Sequence, residues 1–177
     1  MRRLLFLAPL GLFLAAILAF SLGLGRDPSI LPSVLINKPL PGFALAGLEA
    51  GSPGLGADDF RDGQPALLNV FGSWCVACRY EHPELLALKA QGVRIEGLDW
   101  RDDPAAARTF LAQAGDPYAR VGVDATGRTA IDLGVAGAPE TFVVDGQGRV
   151  RYKVVGPITP ELWSRTLRPL MARLARG

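Results

Sequence analysis

Histidine and cysteine are almost missing from this chain. One imidazole, His82, and two thiols, Cys75 and Cys78, are all it has. A structural zinc site takes four ligands, so this inventory argues against one. A single histidine likewise argues against a bis-histidine haem site. Runs of one charge sign are also absent: 19 Lys and Arg are interspersed with 17 Asp and Glu for a net charge of +2. Nothing in that pattern suggests a nucleic-acid-binding surface, and the chain has no internal repeat.

Charge is also missing from Leu4 to Gly25. As a helix this run is about 33 Å long, enough to cross the roughly 30 Å hydrocarbon core of a bilayer. Arg2 and Arg3 precede it and Arg26 follows, which favours a cytoplasmic N-terminus and an exported remainder. The competing reading is a cleaved signal peptide, with Ala19-Phe20-Ser21 as its cleavage site. The run exceeds the roughly 7–15 apolar residues of a signal sequence, which favours a retained anchor over residues 1–25. Residues 26–42 hold Pro28, Pro32, Pro39 and Pro41 and read as an extended tether. The remainder, residues 43–177, has the size of one domain.

Within that domain, Phe43 to Leu48 reads as a first strand, followed by a glycine-rich hairpin or loop from Gly47 to Gly56. The nearly continuous apolar run Ala66 to Phe71 reads as a buried central strand. A helix follows from Val76 to Gln91, with Pro83 as an early kink and His82 on its surface, and then a strand from Val93 to Asp99. Pro104 to Ala114 is an alanine-rich helix ended by Gly115. A short strand at Ala119 to Val123 and a helical turn at Thr126 to Leu133 come next. Two strands, Thr141 to Asp145 and Val150 to Val155, flank the turn Asp145-Gly146-Gln147-Gly148. A last helix opens at Thr159-Pro160-Glu161, with Thr159 suited to the N-cap and Pro160 to the first helical position. Its stripe of Trp163, Leu167, Leu170 and Leu174 faces the core. The predicted fold is α/β, a four-stranded mixed sheet with helices on both faces.

The cysteines lie where the central strand gives way to a helix, in Gly72-Ser73-Trp74-Cys75-Val76-Ala77-Cys78. In an oxidising compartment a structural disulfide is the ordinary expectation. A bridge across two residues, however, closes almost no loop and so constrains the unfolded chain little. CxxC beside a βαβ pattern reads instead as a redox pair. At a helix N-terminus, unpaired amides and the helix dipole stabilise a thiolate at Cys75, the nucleophile. Cys78, one turn further in and more buried, resolves the mixed disulfide. Trp74 shields the sulfurs and offers a flat apolar surface to a partner. The loop ending at Ala138-Pro139 suits either a cis peptide or an ordinary trans turn; beside the CxxC it presents the backbone of Ala138 to an extended substrate.

Several motifs together resemble the CcmG/DsbE family, the membrane-anchored thioredoxin-like proteins of cytochrome c maturation. They are Gly25-Arg26-Asp27-Pro28-Ser29 with Leu31-Pro32-Ser33, the segment Leu68-Asn69-Val70-Phe71 running into the CxxC, Glu81-His82-Pro83, and Gly134-Val135-Ala136-Gly137-Ala138-Pro139-Glu140-Thr141-Phe142. The resemblance runs almost end to end. It implies a thioredoxin fold with an N-terminal extension, a central insertion at Asp99 to Tyr118, and a cis Pro139. It also implies a single-pass protein of the bacterial inner membrane whose periplasmic domain reduces the CxxCH disulfide of apocytochrome c. Its partners would be the cytochrome c maturation machinery and a DsbD/CcdA-type membrane electron donor. No cofactor beyond the Cys75–Cys78 disulfide is implied. Glu81 and Glu140 match acidic positions near the family's active site, where they tune the thiols or recognise partners.

One departure from ordinary thioredoxins is Asn69, six residues before Cys75, where thioredoxins carry a buried aspartate that moves a proton from the second thiol. An amide cannot take a proton, so Glu81 or Glu140 becomes the candidate acid. Other classes stay open: a DsbA-type oxidant or isomerase, a thiol peroxidase, and a non-redox module binding apocytochrome or haem. The uncharged Val76-Ala77 dipeptide tilts the choice toward a reductant.

Overall fold

A computed structural model describes residues 33–176 and, ahead of them, residues 9, 11–14, 16–18 and 21. The chain divides into two compact units, Met1–Ile30 and Leu31–Gly177. In the first unit the described residues are helical and exposed. The anchor expected over Leu4–Gly25 lies largely outside the described residues; among those described, no helix is long and apolar enough to cross a membrane.

The second unit is built on β3 (Ala66–Phe71), whose six residues are all buried. It pairs in parallel with β4 (Ile95–Trp100) and antiparallel with β6 (Glu140–Val144). β4 pairs in parallel with β5 (Arg120–Asp124), and β6 pairs antiparallel with β7 (Val150–Val155). The sheet therefore has five strands, in the order β5-β4-β3-β6-β7, rather than the four expected. The extra strand is the short segment after the insertion, returned beside β4 by the crossover helix α2 (Pro104–Ala114).

The expected first strand is also different. β1 (Ala44–Leu45) pairs only with β2 (Leu55–Gly56), and the chain then turns along the edge of β5. There Val123 N–H donates to Ala46 O at 2.9 Å and Leu48 N–H to Val121 O at 3.2 Å. That contact covers an edge otherwise open to pairing. The second half of the expected tether also lies on the domain. Asn37 N–H donates to Val150 O at 2.7 Å, Leu40 N–H donates to Gly148 O at 2.8 Å, and Leu40 is buried.

Because side chains alternate across a strand, β3 feeds two cores. Leu67 and Phe71 join Ile95, Leu85 and Leu88 of α1 (Val76–Ala90), Phe110 and Leu111 of α2, and Trp163 and Leu167. Leu68 and Val70 join Leu98, Phe142, Val144, Phe60 and Leu133 on the other face. The short helix α3 (Arg128–Asp132) packs beside β5. The C-terminal helix runs as α4 (Pro160–Leu162), a π-helical turn (Trp163–Leu167) and α5 (Arg168–Leu174). Thr159 caps it, its hydroxyl accepting from Leu162 N–H at 3.2 Å, with Pro160 in the first helical turn, as the sequence predicts.

One glycine decides what the central sheet can hold. A Cβ on Gly97 would lie 2.9 Å from Tyr118 Cγ and 3.0 Å from Phe71 Cε1. Its absence lets the Tyr118 ring stack on Phe71, centroids 4.6 Å apart, and send its hydroxyl into the sheet. Gly97→Ala is expected to push Tyr118 away and destabilise the protein by about 1–3 kcal/mol. A urea melt of the oxidised protein checks this; an unchanged midpoint contradicts it.

Candidate active site

Cys75 and Cys78 are joined as a disulfide, with their Cα atoms 5.3 Å apart. Cys75 is the N-cap of α1, and its Sγ accepts a hydrogen bond from Cys78 N–H at 3.1 Å. An amide aimed at that sulfur, with the positive end of the helix dipole behind it, favours a thiolate there once the bond is reduced. In the disulfide form both cysteines are buried, 4% and 3% exposed, so the expected difference in burial between them is not present.

The loop before the pair is pinned from two sides. Ser73 donates through its backbone N–H and its hydroxyl to Asp102, the hydroxyl at 2.9 Å, and its carbonyl accepts from Arg79 at 2.8 Å. Arg79 also lies over the Phe110 ring. Trp74 is half exposed and leans on Trp100, ring centroids 5.8 Å apart. Val76 and Tyr80 are exposed on the first turns of α1. Exposed apolar side chains therefore lie beside and within the CxxC in the chain.

Facing the pair is the loop 134–139. The Ala138–Pro139 peptide is cis, as the resemblance implies. Ala138 O lies 3.3 Å from Cys75 Sγ. Among the described residues, neither the N–H nor the C=O of Ala138 has a backbone partner. An unpaired main-chain edge beside the reactive sulfur is the kind of edge to which an extended peptide adds as a strand.

Beneath the disulfide lies a buried polar layer. Asn69, on the same face of β3 as Phe71, donates to Glu81 Oε2 at 3.1 Å and to Thr141 Oγ1 at 2.9 Å. Its Oδ1 accepts from the Tyr118 hydroxyl at 2.8 Å, so both amide protons and the oxygen are engaged. Glu81 stands one turn beyond Cys78 on the buried side of α1 and accepts from Ile158 N–H at 2.6 Å through Oε1. Burial pushes its carboxyl up to about 7, against the opposing pull of the bonds from Ile158 and Asn69. Burial also raises the Tyr118 phenol well above its usual range, with Glu81 adding to the effect.

Glu140 is buried as deeply, but elsewhere. It pairs in register with Val70, so it faces the opposite side of the sheet from Asn69 and Thr141. Its Oε1 accepts from Ala136 N–H at 3.0 Å and its Oε2 meets Lys153 Nζ at 2.8 Å. The expected site residues therefore fall into three groups: Trp74, Cys75, Cys78, Ala138 and Pro139 around the disulfide, Glu81 on the buried side of α1, and Glu140 across the sheet.

Sequence reasoning missed several residues. His82 is buried rather than on the helix surface, its Nε2 2.7 Å from Gly115 O and its ring against Phe110. Asp99, the next-to-last residue of β4, is fully buried beside Asp102. Burial first, then the nearby charges of Asp102 and Asp103, push it up to about 8. An acidic residue flanked by Leu98 and Trp100 was the available signal for Asp99. A lysine inside the hairpin strand was the corresponding signal for Lys153.

The raised Glu81 carboxyl has a consequence for stability. A carboxyl titrating near 7 when folded and near 4.5 when unfolded contributes its stability fully below 4.5 and loses it as pH rises through 7. The loss is on the order of 3 kcal/mol. Asp99 titrates in the same direction, so the difference between wild type and Glu81→Gln isolates the Glu81 part. Denaturant melts from pH 4 to 8 are expected to show wild type losing stability relative to Glu81→Gln through the range 4.5–7. Parallel pH curves contradict the assignment.

Residues 36–167 match the family model described as Redoxin. A protein of Pseudomonas aeruginosa named thiol:disulfide interchange protein DsbE is 45% identical over 174 residues, covering 98% of this chain and 96% of its own. The Escherichia coli K12 protein of the same name is 41% identical over 181 residues, covering 99% and 98%. HelX of Rhodobacter capsulatus, also named a thiol:disulfide interchange protein, is 44% identical over 150 residues, 85% of each chain. The crystal structure of a Chlorobium tepidum protein assigned as DsbE superposes with a TM-score of 0.63 at 27% identity, covering 80% of this chain and 98% of that one. With a disulfide-bonded CxxC at a helix N-terminus on a thioredoxin-like mixed sheet, the chain belongs to the redoxin family, as a thiol:disulfide oxidoreductase of the DsbE/HelX group.

Proposed function

We propose that this protein works as a reductant in an exported compartment, and that its substrate is the CxxCH disulfide of apocytochrome c. The observation that carries the reading is the position of Cys75 Sγ, at the N-terminus of α1 and 3.3 Å from the unpaired main chain of Ala138. A peptide docked on that edge brings its own disulfide to the nucleophile. Names of the relatives speak only of thiol:disulfide interchange; the cytochrome substrate, the periplasmic location, the membrane anchor and a DsbD/CcdA-type donor come from the family resemblance.

In the reduced protein the Cys75 thiolate attacks one substrate sulfur. A Cys75–substrate bond forms, the substrate S–S bond breaks, and one substrate thiol leaves. The Cys78 thiolate then attacks Cys75 Sγ, forming the protein disulfide and releasing the second substrate thiol. Two electrons and two protons pass from the protein dithiol to the substrate, and the membrane donor returns them. Cys78 must lose a proton before it attacks; in this reading Glu81 takes it, a role supported by its seat one helical turn along α1 and by a carboxyl raised to about 7. Asn69 holds Glu81 in place without competing for that proton.

Cys78→Ser is expected to trap a mixed disulfide between Cys75 and a disulfide-closed CxxCH peptide, seen as a mass adduct that dithiothreitol removes. Cys75→Ser is expected to trap none. In cells, the double serine variant is expected to abolish assembly of c-type cytochromes. Normal assembly with both cysteines replaced contradicts the reading and favours a binding module.

A further inference from the structure

The family reading leaves Lys153 without a role, yet its burial calls for one. It sits on β7 with its side chain only 6% exposed, and a lysine is almost never buried unless paired. Three groups meet its ammonium. Glu140 Oε2 is 2.8 Å away, Gly134 O accepts from Nζ at 2.7 Å, and the Phe142 ring lies beneath it, 5.3 Å to the centroid.

These contacts converge on one loop. Gly134 begins the segment that ends at Ala138 and Pro139, and Lys153 holds that beginning through its carbonyl. Glu140 follows the segment and holds its middle through Ala136 N–H. Val135 and Ala138 pack partly buried against the cores and Val135 N–H donates to Ala130 O at 2.8 Å, so the stretch these restraints leave is Ala136, which is exposed, and Gly137. The ion pair joins the two anchors to each other, in a setting where few waters screen it. Past the far end, Pro139 O accepts from Gly156 N–H at 3.0 Å, which ties the loop to the end of the same strand, β7.

We propose that Lys153 is a positioning residue for disulfide exchange. Through Glu140 and Gly134 it fixes the loop that presents the Ala138 main chain to a peptide at Cys75. Lys153 touches neither sulfur nor substrate; it acts through the loop. Glu140 is its partner in this clamp, on the face of the sheet away from the Glu81 proton site. The inference rests on the reading of Ala138 as the peptide-docking edge.

A compact disulfide with no peptide backbone separates docking from chemistry. The reduced full chain, in detergent, is mixed with a disulfide-closed CxxCH peptide and, separately, with hydroxyethyl disulfide, and second-order rate constants are compared. Lys153→Met is expected to slow the peptide reaction by about tenfold or more, since small misplacements of a docking group are costly. The hydroxyethyl disulfide reaction should change by less than about twofold, and Lys153→Arg, which keeps the charge, should recover most of the peptide rate. Lys153→Met leaves a buried carboxylate unpaired, so Glu140→Gln/Lys153→Met serves as the folding-safe variant and is expected to lose peptide rate in the same selective way. If either variant keeps the wild-type peptide rate, or loses both rates equally, the proposal is overturned. A wild-type protein that itself shows no preference for the peptide overturns the docking reading together with the proposal.

Discussion

Everything near the disulfide depends on one buried amide. Asn69 occupies the centre of the central strand, and its three hydrogen bonds reach α1 through Glu81, β6 through Thr141 and the segment before β5 through Tyr118. Buried polar groups are costly unless satisfied, so these bonds set the spacing of four elements at once. Gly97 makes the arrangement possible by leaving room for the Tyr118 ring. The N-terminus of α1, and with it Cys75, is placed on top of this layer.

The two faces of the sheet hold different buried carboxylates. Register puts Asn69 and Thr141 on one face and Val70 and Glu140 on the other. On the first face Glu81 is buried in the polar layer, hydrogen-bonded by Asn69 and Ile158 N–H, and burial raises its carboxyl to about 7. On the second face Glu140 sits against a lysine ammonium and a backbone amide. Helix α1 and strand β6 thus hold two buried glutamates of similar exposure in different surroundings, one raised by burial and the other paired with a lysine.

Much of this was legible in the sequence. The apolar run at Ala66–Phe71, the Thr159-Pro160 helix start and the Asp145–Gly148 hairpin turn are local signals, and local physics resolves them. The CxxC gave the chemistry because two thiols at that spacing have few other uses. Less legible were the features set by register and long-range packing. Whether Arg120–Asp124 joins the sheet depends on where the α2 crossover returns it. Whether His82 is buried depends on Phe110 and Gly115, some 30 residues away. Both glutamates are charged residues in sequence, and only the three-dimensional register separates the one that meets a lysine from the one that does not.

The proposed direction of electron flow rests on how weakly the protein favours the Cys75 thiolate over the disulfide. The helix N-terminus supplies one amide to the sulfur. The residues between the cysteines, Val76 and Ala77, add no charge, Asn69 is neutral, and Arg79 is engaged with Ser73 and Phe110. With modest thiolate stabilisation the dithiol gives up its electrons readily, and each 30 mV of potential corresponds to about 1.4 kcal/mol. The reduction potential of the Cys75–Cys78 pair, equilibrated against glutathione or dithiothreitol, tests this most directly. The account predicts a value near or below the thioredoxin range of about −270 mV. A value near −120 mV, that of a strong oxidant, would contradict it.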